Sequence, residues 1–102
     1  MNPIALLNDT HRRSLARCFV TAGVTARFPK ISTLLEHVRS FDAFTPDNDP
    51  YGEHDCAGFT VGGVTLIWKI DTYADHTLTA GADDPLAPGV VRVLTVMLAE
   101  EY

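Results

Sequence analysis

The stretch "CAGFTVGGVTLIWKIDTY", residues 56–73, decides the fold. Two runs of alternating apolar residues flank Gly62-Gly63. A glycine pair in that setting specifies a two-residue β-hairpin, since such turns need left-handed backbone at their centre. The turn fixes the register. Val61 opposes Val64, Phe59 opposes Leu66 and Ala57 opposes Trp68, and these six must share the core side. The other face pairs Thr60 with Thr65, Gly58 with Ile67 and Cys56 with Lys69. Continued one step further, the register sets His54 beside Asp71, unless a bulge between His54 and Phe59 shifts it.

Upstream of the hairpin, Asp42 to Asp55 shows no periodicity and reads as a loop. Before it, Thr33 and Glu36 are spaced as a capping box, predicting a helix to about Phe41 with Leu34, Val38 and Phe41 buried. "RCFVTAGV" is β-branched and aromatic, predicting a short strand from about Arg17 to Thr21. Pro3 opens a first helix to about Ala16, with Ile4, Leu7, His11 and Leu15 on one face. Downstream, residues 74–89 are irregular, and Val90, Leu94, Met97 and Leu98 predict a closing helix. The expected architecture is one α+β domain over residues 1–102, in the order α-β-α-β-β-α. Helices pack on one face of a small antiparallel sheet in two layers.

Composition narrows the function. The chain has 102 residues and a net charge of −5. Residues 1–39 carry +4 and residues 40–102 carry −9. That balance argues against direct nucleic-acid binding. No apolar run reaches the roughly 20 residues needed to cross a bilayer, the start lacks a basic leader pattern, and the two cysteines form no CxxC. These features suit a soluble cytoplasmic protein with free thiols.

Chemistry concentrates in "DPYGEHD", residues 49–55, where Asp49, Glu53 and Asp55 surround His54. The register offers three readings of this stretch. A His54–Asp71 pair suits a general base. Cys56 beside Lys69 suits an activated thiolate. Glu53, His54, Asp55 and Asp71 suit a divalent metal. Against all three, polar cross-strand pairs also simply finish the open face of a sheet. Counted from Asp47, the loop only brushes the calcium-loop pattern, with Tyr51 at position five and Gly58 where a bidentate glutamate belongs. No HExxH, GxSxG, Walker or GxGxxG motif occurs.

"FDAFTPDNDPYGEHD" (41–55), "WKIDTY" (68–73) and "RVLTVMLAEEY" (92–102) resemble a family of small bacterial proteins, a domain of unknown function. "NDTHRRSL" and "TAGV" resemble its N-terminal part. That family is common in alphaproteobacteria and often sits on plasmids and other mobile elements. The resemblance implies no activity, but it places Asp47 to Asp55, Trp68, Lys69 and Asp71 in the family's pattern. An aromatic residue stands there where this chain has Cys56, which weakens the thiolate reading.

Together these readings lead to a small acidic binding or regulatory protein without catalytic residues, cofactor or metal, docking on a basic partner through Asp47, Asp49, Tyr51, Glu53, His54, Asp55, Lys69 and Asp71. The resemblance extends this to a mobile-element inhibitor of a nucleic-acid-binding defence protein such as a CRISPR effector, with carboxylates in place of phosphates. The alternative is a metal-dependent hydrolase or metal-binding regulator built on His54 and nearby carboxylates. A homodimer joining the acidic face of one copy to the basic first helix of another is a third reading.

Overall fold

The hairpin forms in the expected register. In a computed structural model describing residues 2–102, β2 (Cys56–Val61) and β3 (Val64–Tyr73) pair antiparallel from Val61↔Val64 to Cys56↔Lys69. Gly62 and Gly63 hold φ of 57° and 80°, the left-handed values that a turn of this type requires. The remaining elements are α1 (Pro3–Ser14), β1 (Cys18–Val20), α2 (Ala22–Arg27), α3 (Ile31–Arg39), β4 (Val91–Leu98) and a closing 3-10 turn, Ala99–Glu101.

The chain is α+β, as expected, but its sheet has four strands in the order β1-β4-β3-β2 and is mixed. β4 runs antiparallel to β3 and parallel to β1. The closing segment is therefore a strand, not the expected helix. The reason lies in its position. β4 is flanked on both sides, and Val93, Leu94, Val96, Met97 and Leu98 are all buried. Burial on both faces erases the period-two alternation that would have marked a strand, leaving an apolar run that also fits a helix.

Two helix assignments also change. α2 was not expected; the Thr21 hydroxyl accepts a hydrogen bond from the Val24 amide and starts it directly after β1. α3 begins at Ile31 after Lys30, which makes no side-chain cap, so the Thr33–Glu36 capping box does not form. Glu36 instead pairs with Arg39 along the helix.

The core lies on one face of the sheet, where Val24 of α2 and Leu34 and Val38 of α3 cover Ala57, Leu66, Trp68, Ile70, Leu94, Val96 and Leu98. Trp68 sits at its centre, fully buried, with Phe41 and Phe44 edge-on at 5.7 and 6.0 Å. The C-terminus folds back on the β1–α2 junction. Glu101 Oε1 accepts from the Thr21 hydroxyl at 2.7 Å and from the Leu98 amide at 2.8 Å. These bonds, the Thr21 hydroxyl foremost, hold the Glu101 carboxyl below its ordinary range. Among the described residues no helix is long and apolar enough to cross a membrane.

Candidate functional site

The buried side of α1 is polar. Ala5, Asn8, Asp9 and Arg12 face inward, while Leu6 and Leu7 are 52% and 43% exposed. The stripe expected from Ile4, Leu7 and His11 is thus rotated by about one residue. Partners elsewhere in the chain explain the rotation. Arg12 is fully buried and donates from Nε to the Val38 carbonyl (3.0 Å), from Nη2 to the Phe41 carbonyl (2.8 Å) and from Nη1 to Asp9 Oδ1 (3.0 Å). Its guanidinium lies 4.8 Å from the Trp68 ring centroid and 5.4 Å from that of Phe44. Burial lowers its proton affinity and Asp9 opposes that, but arginine starts so high that it stays charged.

This helix face grips the loop between α3 and β2. Asn8 Nδ2 donates to the Glu53 carbonyl at 3.0 Å, and its Oδ1 accepts from Arg92 Nε of β4 at 2.8 Å. Asn2 reaches the Tyr51 carbonyl at 3.4 Å. Asp9 carries both its oxygens to His54 Nδ1, at 2.9 and 3.1 Å. The His54 ring stacks flat on Phe44, with centroids 3.8 Å apart and planes 3° apart. Its Nε2 lies 3.5 Å from Asp49 Oδ2, and its backbone amide donates to Asp49 Oδ1 at 3.2 Å. The loop is also knit to itself. Asn48 accepts from the Thr45 amide and donates to the Ala43 carbonyl, and the Gly52 amide donates to the Asp49 carbonyl.

His54 does not stand beside Asp71. The paired strand starts at Cys56, and His54 has a φ of 54°, so left-handed backbone ends the register and swings the imidazole onto the core side beneath α1. Asp71 instead binds Lys69, Nζ to Oδ2 at 2.6 Å, on the outer face of the sheet. That hydrogen bond raises the Lys69 proton affinity. Lys69 is therefore unavailable to activate Cys56, whose thiol is pushed up by burial and by Asp55, Asp49 and Asp71. The thiolate reading falls with it.

The metal reading loses its geometry as well. Asp71 is on the far face from His54, and among the described residues no three His, Cys, Asp or Glu side chains are grouped to hold a metal ion. Asp9, which does contact the imidazole, is already engaged by Arg12.

The expected binding residues thus divide three ways. Asp49 and His54 turn inward and hold the loop. Lys69 and Asp71 neutralise each other on another face. Asp47, Tyr51 and Asp55 are exposed, Tyr51 at 83%, with Glu53 half-buried beside them. Among the described residues, Asp47, Glu53 and Asp55 enter no ion pair. The arginines of α1 do not cover them. Within the loop lies a shallow depression of about 430 Å³, walled by Phe44, Pro46, Pro50 and Tyr51, with Asp49 and His54 in its lining.

Asn8, Asp9, Arg12 and Phe44 were not expected to take part in the site. Their signal was available in part: Asn8, Asp9 and Arg12 recur at helical spacing, which marks one face of α1. No curated protein and no solved structure matches the chain. Residues 20–101 match the family described as Protein of unknown function (DUF3768), and the chain belongs to that family.

Proposed function

We propose that the protein is a binding module whose loop Thr45–Asp55 docks on a basic protein surface. One observation carries this reading: Tyr51, 83% exposed, and unpaired Asp47 and Asp55 project from a loop pinned from behind by buried side chains. A pinned loop loses little conformational freedom on association, which is where much of the cost of binding arises. Tyrosine is a favoured anchor residue at interface centres. Exposed carboxylates speed encounter with a cationic partner and reject anionic ones. The depression between Pro46, Pro50 and Tyr51 would receive an arginine or lysine of the partner. A nucleic-acid-binding protein is the most apt partner, because its cationic groove is already spaced to receive phosphates. Inhibition of such a protein, for example a defence nuclease, is the specific form this reading takes.

The test is capture from a bacterial lysate with identification of the retained protein, using wild type, Tyr51→Ala and the double variant Asp47→Lys/Asp55→Lys. The expected result is a basic protein held by the wild type, released by a polyanion, and lost with the double variant. Tyr51→Ala is expected to weaken binding by about 2 kcal/mol, the usual scale of an aromatic anchor. Equal retention by all three chains would refute the surface.

A further inference from the structure

A second concavity lies on another side of α1, between its C-terminal half and the start of β4. It has a volume of about 470 Å³, and Leu7, His11, Arg17, His76, Val90 and Arg92 contribute to its walls. No aspartate or glutamate lines it, although acids outnumber lysine and arginine thirteen to eight in the chain. Two arginines and two histidines converge there from four places in the chain, His11 from α1 itself. Arg17 comes from the α1–β1 turn, His76 from the loop after β3, and Arg92 from β4.

The donors are held but not used up. Arg17 Nη2 lies 3.0 Å from His76 Nδ1, which orients the guanidinium and, among the described residues, leaves its Nε and Nη1 without a partner. Arg92 donates from Nε to Asn8 and from Nη2 to the Pro85 carbonyl, and among the described residues Nη1 has no partner. His11 Nε2 is a buried polar atom with no hydrogen-bond partner. Burial lowers the His11 proton affinity, a hydrogen bond to the Ala16 backbone opposes it, and Arg92 and Arg17 add smaller lowering effects. Arg17 also holds a φ of 46°, a left-handed value uncommon outside glycine and one that gathers at functional positions.

We propose that this groove binds a small organic oxyanion, a phosphate or carboxylate group on a short apolar body. The head group would meet Arg17 and Arg92, with the His11 ring behind them, and the body would lie on Leu7 and Val90. The carbonyl end of α1 opposes an anion with about half an elementary charge, and two full guanidinium charges outweigh it. The competing account is that Arg17 only complements that helix end, and it predicts no ligand. The site is distinct from the docking loop, so either reading can fail without the other.

The test is an NMR titration of the full chain with inorganic phosphate and, separately, butyrate, at constant ionic strength maintained with chloride. The expected result is saturable displacement of the Ala16, Gly89 and Val90 amides and of the His11 and His76 rings by at least one anion. Which anion acts identifies the head group. Arg17→Gln is expected to weaken binding about tenfold or more, the scale of one charge-assisted hydrogen bond. Arg13→Gln, an exposed arginine on the same helix but outside the groove, is expected to leave it unchanged. His76→Ala serves as a second groove variant if Arg17→Gln perturbs the fold. Linear, non-saturating shifts with both anions, or equal weakening by Arg13→Gln, would overturn the proposal.

Discussion

Arg12→Met is expected to destabilise the protein by about 3–5 kcal/mol, the usual cost of removing one partner from a buried ion pair. Total stability for a domain of this size is about 5–15 kcal/mol, so the loss is a large share of it. The cost comes from the groups left behind. Asp9 keeps a buried negative charge facing His54 alone, the Phe41 carbonyl loses its donor, and the Val38 carbonyl loses the charged one of its donors. Methionine fills space over Trp68 but satisfies none of these groups. The double variant Arg12→Met/Asp9→Asn is then expected to cost less than the sum of the single changes, by about 1–3 kcal/mol, because it no longer buries a lone carboxylate. Urea unfolding followed by fluorescence of Trp68, the chain's single tryptophan, measures both variants. A single-variant loss below about 0.5 kcal/mol, the scale of an ordinary surface change, would contradict the buried network.

Trp68→Ala is expected to cost a comparable amount, about 3–5 kcal/mol, as lost transfer energy and an unfilled cavity add. Trp68 carries more than its own burial. It packs T-shaped against Phe41 and Phe44, and the Arg12 guanidinium carbon lies over its ring. Phe44 in turn supports the His54 ring. Loss of Trp68 therefore loosens the loop as well as the core. Trp68→Phe keeps an aromatic face and removes an indole N–H that has no partner, so it is expected to cost clearly less than alanine. Circular dichroism during urea unfolding reads both variants. Equal losses for phenylalanine and alanine would show that the aromatic contacts do not hold the site.

The hairpin was legible because its signal is local: two alternating runs and a glycine pair determine turn, register and buried face together. The open loop over 42–55 was legible for the opposite reason, an absence of period. β4 was not, because a strand buried on both faces presents the same apolar run as a helix, and its neighbours β1 and β3 are distant in sequence. The misplaced face of α1 has a different origin. Hydrophobic spacing predicts burial of Leu7, but Arg12 and Asp9 are drawn inward by carbonyls and an imidazole 26 to 45 positions away. Long-range polar pairing of that kind leaves no periodic trace. His54 illustrates the limit most clearly. Its importance could be read from the charge-rich heptad, yet its partner could not, since a single left-handed residue carries it off the strand and away from Asp71.

The loop therefore depends on a side of the protein that the hairpin alone does not reveal. Asp49 and His54 are its internal fastening, and the charged and aromatic side chains it leaves toward solvent are Asp47, Tyr51 and Asp55, with Glu53 half-buried. Hydrogen exchange at the loop's own amides tests this arrangement most directly. The Asp49, Gly52 and His54 amides all have acceptors within the loop. In the wild type they are expected to exchange at least about a hundredfold more slowly than an unfolded chain. Asp9→Asn is expected to remove much of that protection while the β3 and β4 amides keep theirs. Unfolded-chain exchange rates at these three amides in the wild type would contradict the account, because a loop that opens freely cannot be held ready by α1.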